Sequence, residues 1–341
     1  MKIRCGVIGL GRIGCGFDDD PNKKSISTHA SAYHFNKNAN LVTLCDIDQD
    51  KLSKYGKKYN VIKLYSDYKK MFQESHLDCV SICTLAESHL DIVKEAARNN
   101  VKGIFLEKPI SDSLKSAKEI VEICQKKNIK LQIDFQRRFD PFYHLVKNNI
   151  NSKKFGKIQH CSIYYGGGIA NTGSHFIDLI RFFFGDIDSV KGDYSLNTSN
   201  NPFDSNIDGM IIFKNNIHCL FTGLDVSNFG ILELDIFGSN ARIRLNLAKS
   251  IAEYFEISVQ SGLVYKELES KPFEIHDKKD AIILGLENLF NAIENNVEIL
   301  CTGNDGYSSL EVIGAIIESA SNKGKQVRLP LKINTYKISS K

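Results

Sequence analysis

The chain has 341 residues, of which 42% are hydrophobic and 25% are charged. These proportions are those of an ordinary globular protein with room for two domains, and they exclude a disordered chain, a fibrous repeat and a disulfide-stapled mini-protein. The 44 Lys and Arg side chains nearly balance 40 Asp and Glu side chains, so the net charge of +4 is too small at this length to indicate a nucleic-acid partner.

The cysteines and the apolar segments indicate a cytoplasmic protein with no membrane partner. Nine cysteines are scattered along the chain, and the closest two, Cys79 and Cys83, do not form a CxxC pair. This pattern favours reduced thiols over disulfides or a zinc site, and we expect no metal site. No segment approaches the ~20 apolar residues that span a bilayer. The N-terminal run up to Arg12 lacks a cleavage site, so we interpret it as a buried strand rather than a signal peptide.

The first 134 residues alternate short β-rich runs with segments of helical periodicity. The predicted strands are Ile3–Ile8, Leu41–Cys45, Cys79–Cys83, Ile104–Leu106 and Leu131–Ile133. The predicted helices between them include Ser88–Asn99 and Ser113–Lys127, and the lysine-rich stretch 51–70 is predicted to be a solvated helix face. Strands that alternate with helices predict a doubly wound parallel sheet with right-handed crossovers.

From residue 135 onward, strands follow one another through short turns. The predicted strands are Ile158–Tyr165, Met210–Phe213, His218–Leu224, Ile231–Phe237 and Arg242–Asn246, with hairpin connections at 214–216 and 238–240. The predicted helices are His175–Phe184, Ala281–Glu294 and Tyr307–Lys323. The sequence thus predicts an α/β protein with a doubly wound domain over 1–134 and an α+β domain with a large, mostly antiparallel open sheet over 135–341.

The motif GLGRIG follows the first predicted strand directly. Gly9 permits a tight turn, Gly11 allows the main chain to approach a pyrophosphate, and Gly14 allows close packing of strand and helix. Arg12 and Ile13 complete the motif, and we expect a helix N-terminus to follow it and face the phosphate charge. These five residues are therefore predicted to bind a dinucleotide.

Asp46 ends the second predicted strand, where an acidic side chain binds the ribose hydroxyls. It lies 32 residues after Gly14, against about 20 in the usual fingerprint, because the polar segment 16–27 is inserted. That segment is either part of the substrate entrance or a surface loop. The charge of Asp46 repels a 2′-phosphate and favours NAD, although Arg12 nearby leaves NADP open.

Two further groups of residues follow later strands of the first domain. Thr84, at the end of the third strand, is predicted to contact the cofactor, whereas His89 either contacts the cofactor or begins a helix with no chemical task. Glu107 and Lys108 precede Pro109, which keeps the lysine out of helical geometry. A lysine fixed beside a cofactor can stabilise alkoxide character on a substrate, while a surface Lys-Pro turn is the alternative.

The order of these motifs resembles the Gfo/Idh/MocA oxidoreductases, the family of glucose–fructose oxidoreductase and inositol dehydrogenase. Besides the glycine motif, the resemblance includes CDID (45–48), CTLAESH (83–89), EKP (107–109), FQRRFDP (135–141), GGGIANTGSHFIDLIRFFFG (166–185) and the closing segment 302–330. It implies an N-terminal Rossmann domain and a C-terminal sheet through which the chain forms a homodimer or homotetramer. It also implies that Lys108 and His175 act at the reacting carbon.

The segment around His175 carries the candidate substrate-binding residues. Asn171 and His175 are four residues apart and share a face if both lie on one helix, and Asp178 either orients the imidazole or pairs on the same helix. Polyol-oxidising members of the family have an aspartate where Asn171 stands, and asparagine cannot accept a proton. The substitution argues against an inositol-type substrate and favours a sugar or a sugar nucleotide.

Gly167 and Arg138 complete the predicted substrate site. Gly167, within a run of three glycines, either allows a sugar or a diphosphate to approach the main chain or forms a plain turn. Arg138 either binds a substrate carboxylate or phosphate or forms a structural ion pair between the domains.

The predicted function is hydride transfer between NAD(P) and a secondary alcohol or ketone of a sugar, sugar acid or nucleotide sugar. Two alternatives stay open: a redox-neutral NAD-dependent enzyme of the glycosidase or epimerase type, and a non-catalytic NAD(P)-binding regulator.

Overall fold

The structure is a computed structural model that describes residues 2–23, 25–258, 266–273, 280–332 and 337–338. The chain forms two compact units. The first contains Met1–Asp140 and Lys279–Ser308, and the second contains Pro141–Lys278 and Ser309–Lys341. The units are therefore not two consecutive stretches of chain, because a late segment returns to the first unit.

The strands and helices have the following bounds. The strands are β1 Ile3–Ile8, β2 Ala39–Cys45, β3 Lys63–Tyr65, β4 Cys79–Ile82, β5 Gly103–Leu106, β6 Lys130–Ile133, β7 Ile158–Tyr165, β8 Ile187–Tyr194, β9 Ile207–Phe213, β10 His218–Gly223, β11 Glu233–Gly238, β12 Ala241–Asn246, β13 Ile251–Ile257, β14 Leu268–Lys271 and β15 Val327–Arg328. The helices are α1 His29–Phe35, α2 Gln49–Tyr59, α3 Tyr68–Ser75, α4 His89–Arg98, α5 Leu114–Lys126, α6 Pro141–Asn151, α7 Ser174–Phe184, α8 Ala281–Asn295 and α9 Gly303–Ser321.

The first unit contains a six-stranded sheet in the order β3-β2-β1-β4-β5-β6, and all its pairs are parallel. This order is that of the doubly wound Rossmann sheet, and it confirms the predicted fold class. Strands β4 and β5 are buried along their whole length, as expected for a sheet covered on both faces. Helix α8 packs against β5 and β6, which explains why this late segment belongs to the first unit.

The segment after the glycine motif contains the predicted insertion. A 3₁₀ turn forms at Gly16–Asp19, and α1 begins only at His29. The amides of His29 and Ala30 donate to the carbonyls of Ile13 and Gly14, at 3.2 and 3.0 Å. Helix α1 therefore continues from the turn of the glycine motif, and the inserted residues loop out between the two.

We had predicted that the lysine-rich stretch 51–70 is one solvated helix face, but it does not form a single helix. It contains the end of α2, strand β3 and the start of α3. Asn60, in the left-handed conformation at φ 55°, ends α2, and the side chain of Asp67 caps α3. The prediction that its lysines are largely solvent-exposed is confirmed.

The second unit contains a nine-stranded sheet in the order β14-β13-β12-β11-β7-β10-β9-β8-β15. Its strand pairs are antiparallel except β7 with β10, which confirms a mostly antiparallel sheet. The hairpins β9–β10 and β11–β12 form at the predicted turns. Helix α7 is apolar on most of its surface and is largely buried. Across the described residues, no helix has the length and apolarity needed to cross a membrane.

Candidate functional site

The three glycines of the motif have different environments in the turn after β1. Gly9 has φ +90°, and a Cβ atom there would lie 2.7 Å from the main-chain carbonyl of Cys83. A Cβ on Gly14 would collide with the carbonyl oxygen of Gly9. By contrast, a Cβ on Gly11 would meet no described atom within 4 Å beyond its chain neighbours, so the main chain there is open to a ligand. The turn thus fits the pyrophosphate of a dinucleotide.

Asp46 lies directly beside this turn. Its Oδ2 accepts the amide N–H of Leu10 at 2.6 Å, and its Oδ1 accepts the amide N–H of Asp48 at 2.9 Å. These bonds fix a half-buried carboxylate at the end of β2. A carboxylate in this position accepts ribose hydroxyls and repels a 2′-phosphate.

The inserted segment is held to the first unit by two aspartates. Asp18 accepts the amide N–H groups of Ser27 and Thr28, at 3.1 Å each, and so closes the loop. Asp19 accepts hydrogen bonds of 2.7 Å from each of three side chains of α2, Lys54, Tyr55 and Lys58. Burial opposes the charge of Asp19, but these three donors lower its pKa to about 2.

Arg12 and Phe17 connect the glycine motif to the insertion. The guanidinium carbon of Arg12 lies 4.7 Å from the centroid of the Phe17 ring, a cation–π contact. Arg12 is exposed. The role of Arg12 in cofactor binding stays a prediction. The role of the insertion at a substrate entrance also stays a prediction.

Thr84 and His89 follow β4. The hydroxyl oxygen of Thr84 accepts from Ser88 Oγ at 2.7 Å. His89 is fully buried, with Nε2 3.1 Å from the carbonyl oxygen of Thr84 and Nδ1 3.2 Å from that of Ile110. Burial lowers the pKa of the imidazole. His89 is the first residue of α4 and connects the end of β4 to the chain after Pro109.

Glu107 and Lys108 follow β5, at the same end of the parallel sheet as Thr84. Lys108 is half-buried, and its amide N–H donates to Glu107 Oε2 at 3.2 Å. The peptide bond between Lys108 and Pro109 is cis. Glu107 is itself buried, and its Oε1 lies 3.2 Å from Nε2 of His29, which also lies 3.3 Å from Asp134 Oδ2. The sequence analysis missed both His29 and Asp134.

The predicted cofactor residues converge at the carboxyl ends of the sheet's central strands. Gly9, Asp46, Thr84 and Glu107 follow β1, β2, β4 and β5, which are neighbours in the sheet and run parallel. In an open α/β sheet, ligands bind outside the carboxyl ends of the strands where the strand order reverses. That reversal lies between β1 and β4, at the glycine turn.

Arg138 forms an ion pair within the first unit. Its side chain is 7% exposed, and Nη1 lies 3.0 Å from Asp305 Oδ1. The alternative that we had predicted was an ion pair between the domains, whereas Arg138 and Asp305 belong to the same unit. A substrate contact by Arg138 stays a prediction.

In the second unit, the glycine run leads into the helix that carries His175. Gly167 and Gly168 have φ values of +82° and +94°. The carboxylate of Asp204 accepts the amide N–H groups of Ala170 and Asn171, at 2.9 and 2.8 Å. Asp204 is buried and caps this helical segment, a role the sequence analysis missed because Asp204 lies in a loop more than thirty residues away.

Asn171 and His175 lie on consecutive turns of one continuous helical segment. Asn171 belongs to a π-helical turn, Ile169–Gly173, and His175 to the first turn of α7. His175 is half-buried. Asp178, which is buried, accepts a hydrogen bond from Ser309 Oγ of α9 at 3.3 Å. A π turn inside a helix often marks a functional site.

The strand order, the open glycine turn and the acidic residue after β2 define a dinucleotide-binding protein of the Rossmann class. Residues 3–135 match the description "Oxidoreductase family, NAD-binding Rossmann fold", and residues 164–329 match "Oxidoreductase family, C-terminal alpha/beta domain". The chain belongs to the Gfo/Idh/MocA family. It is therefore an oxidoreductase that uses NAD, as predicted.

Similar proteins cover nearly the whole chain. An uncharacterized oxidoreductase of Bacillus subtilis, YrbE, is 26% identical over 93% of this chain and 94% of its own length. Inositol 2-dehydrogenase of Rhizobium meliloti is 24% identical over 95% of this chain and 98% of its own. Among solved structures, the WlbA dehydrogenase of Bordetella pertussis in complex with NADH and UDP-GlcNAcA aligns with a TM-score of 0.77 at 20% identity, covering 97% of this chain and all of that one.

Proposed function

We propose that the protein is an NAD-dependent dehydrogenase that acts on a secondary alcohol, or the matching ketone, of a carbohydrate-type substrate. The proposal rests on the position of Lys108. Its amide donates to Glu107, and it lies at the end of the parallel sheet that also carries the open glycine turn and Asp46. A lysine in this position supplies a cation beside the site where the substrate oxygen gains negative charge.

The proposed reaction removes a proton and a hydride from one carbon–oxygen unit. NAD, when bound, supplies the hydride acceptor. We propose that His175 accepts the hydroxyl proton and that the ammonium of Lys108 stabilises the developing alkoxide. Asn171 holds a substrate hydroxyl by its amide and, because it does not ionise, leaves the proton to His175.

The names of similar proteins support a carbohydrate-type substrate. The Rhizobium relative is an inositol dehydrogenase, and the Bordetella structure contains a nucleotide sugar. Because Asn171 stands where polyol-oxidising members have aspartate, we favour a sugar, sugar acid or nucleotide sugar over inositol itself. Gly167 and Arg138 are proposed as further contacts. Gly167 lies on the turn before Asn171 with φ +82°, and because it has no side chain a substrate can approach its main chain.

A cytoplasmic homodimer or homotetramer through the nine-stranded sheet completes the proposal. Support comes from large apolar side chains that this sheet exposes, such as Tyr164, Tyr194 and Leu220. Light scattering on the purified protein tests the assembly, and substitution of Leu220 by lysine should weaken it. A monomeric wild-type protein would contradict it.

A thermal-shift screen tests the substrate class without an assay for turnover. The protein is melted with NAD, NADH, NADP or NADPH, each alone and combined with free sugars, sugar acids, nucleotide sugars and inositols. A ligand that binds the folded state raises the melting temperature by mass action. We expect stabilisation by NAD(H) and a further shift with a sugar-type ligand. A further shift confined to inositols would contradict the preference for sugars.

A further inference from the structure

Three consecutive residues of the loop between β8 and β9 accept four successive main-chain amides at the start of the helical segment that carries His175. The hydrogen bonds are Gly168 to Asn206 Oδ1 at 3.0 Å, Ile169 to the Ser205 carbonyl at 3.1 Å, Ala170 to Asp204 Oδ1 at 2.9 Å and Asn171 to Asp204 Oδ2 at 2.8 Å. The first amides of a helix have no partner within it and attract anions. Here the protein's own loop occupies them.

The loop and the glycine run fit closely around Asp204. The side chain of Asp204 is 4% exposed. A Cβ atom on Gly168, which has φ +94°, would collide with the carboxylate of Asp204 and lie 2.7 Å from its carbonyl oxygen. The buried amide of Asn206 is fixed in turn, because its Nδ2 donates to the Leu224 carbonyl at 3.0 Å. The carboxylate is therefore held in one place by packing on the loop side and by two amides on the helix side.

This arrangement fixes the main chain of Asn171 from outside its own helix. The Asn171 amide donates to Asp204, and its side-chain Nδ2 lies 3.4 Å from the Gly167 carbonyl oxygen. Asn171 is half-buried, so its side chain stands at the surface of a turn whose main chain is rigid. The direction of the side chain thus depends on the bonds that Asp204 makes to the turn.

The same bonds restrict what the turn can bind. An anionic group could use the amides of Ala170 and Asn171 only by displacing the carboxylate of Asp204. Because that carboxylate is part of the chain, its effective concentration at the amides is in the millimolar range or above, and its bonds are charge-assisted. A free carboxylate or phosphate competes poorly with such a group. A hydroxyl that bonds to the side chain of Asn171 or to the main chain of Gly167 meets no such competition.

We propose that Asp204 is the positioning residue for Asn171 and that it occupies the anion position of this turn, so that residues 167–171 bind an uncharged, hydroxyl-bearing part of the substrate. The inference rests on the role proposed above for Asn171. Among the substrates proposed above, it places neither the carboxylate of a sugar acid nor the diphosphate of a nucleotide sugar at this turn.

Chemical rescue tests the anion position without any substrate. Asp204→Ala leaves the two amides without their acceptor, and formate is a carboxylate small enough to take its place. We expect sodium formate to raise the melting temperature of full-length Asp204→Ala by at least about 2 °C over sodium chloride at equal ionic strength. Neutral formamide should not do so. The wild type and the control Asp67→Ala, which loses the exposed cap of α3, should show no such rise.

Calorimetric titration with saturating NAD tests the positioning of Asn171. The probes are two pairs that differ only at one carbon, D-glucose with D-glucuronate and D-galactose with D-galacturonate. We expect the wild type to bind a neutral sugar more tightly than its acid. Asp204→Ala should lose affinity for the sugar at least about tenfold, because Asn171 is displaced, and formate should restore it. NAD affinity should stay near wild type, and Asp67→Ala should keep both affinities. A purely structural role would not separate the two ligands.

Tighter binding of the acids by the wild type, unchanged sugar affinity in Asp204→Ala, or no response of this variant to formate would overturn the proposal. If Asp204→Ala does not fold even in formate, Asp204→Asn, which keeps one acceptor oxygen, replaces it, and sugar affinity equal to that of the wild type would then refute the positioning role. Binding of neither sugars nor acids would contradict the proposed function instead, and the formate result would still decide the role of Asp204.

Discussion

Alanine at Gly11 and alanine at Gly14 should have opposite effects on folding, although both residues belong to one turn. At Gly14 the added Cβ would collide with the Gly9 carbonyl oxygen and lie 3.1 Å from its carbon and 3.3 Å from the Cα of Leu10. All three are main-chain atoms, so no side chain can move aside. Such overpacking costs about 1–3 kcal/mol, which lowers the melting temperature of a unit of this size by roughly 2–12 °C.

At Gly11 the added methyl group meets open space. Gly11 is not among the positive-φ residues, so alanine fits its backbone and should raise stability slightly, by about 0.4–1 kcal/mol, through the unfolded state. The same methyl group would stand between the main chain and the pyrophosphate. Loss of a charge-assisted hydrogen bond of about 1.5–3 kcal/mol weakens NAD binding roughly 10- to 150-fold.

Differential scanning fluorimetry and calorimetric titration with NAD measure the two effects separately. We expect Gly11→Ala to melt at or above the wild-type temperature and to bind NAD weakly, and Gly14→Ala to melt early. The reasoning is refuted if Gly14→Ala melts as the wild type does, or if Gly11→Ala binds NAD with unchanged affinity.

Three further predictions concern aspartate side chains. Asp46→Asn keeps an acceptor for the Leu10 amide but loses the charge, so the ratio of NAD to NADP affinity should fall toward one; a wild-type preference for NADP would contradict the role of Asp46. Asp204→Ala leaves one buried and one half-buried amide without their acceptor and should destabilise the protein by about 2–4 kcal/mol in urea unfolding, against about 1 kcal/mol for the remote cap substitution Ser113→Ala. The folded-state pKa of Asp19 is about 2, below its usual value, so its stabilising contribution is complete above the usual value and is lost as pH falls through about 2. Asp19→Asn should therefore flatten the acid-unfolding curve in that range, and an unchanged curve would contradict the assignment.

The sequence predicted the first sheet well because its strands are short, apolar and buried. Strand β1 was predicted with its observed bounds, and β4 and β5 within one residue. Helix α5, Leu114–Lys126, also lies within the predicted helix Ser113–Lys127. These elements depend on local patterns that the chain displays directly.

The elements that were missed depend on contacts between distant residues. The segment of α2, β3 and α3 is rich in exposed lysine, which obscured the buried faces of its two helices. His29 and Glu107 are 78 residues apart, and Asp204 lies 33 residues from Asn171. No local pattern indicates such pairings. A signal did exist for Asp134, because it follows its strand directly, as Asp46 follows β2.

The central claim is hydride transfer between NAD and a carbohydrate hydroxyl with Lys108 at the reacting oxygen. The direct measurement is NADH formation by the wild type and by Lys108→Ala with the sugar-type ligand that stabilises the protein in the thermal-shift screen, together with NAD affinity of both proteins. We predict that the wild type forms NADH and that Lys108→Ala loses turnover by orders of magnitude while binding NAD with similar affinity. Turnover by Lys108→Ala equal to that of the wild type, or substrate conversion with no change in NADH, would contradict the account.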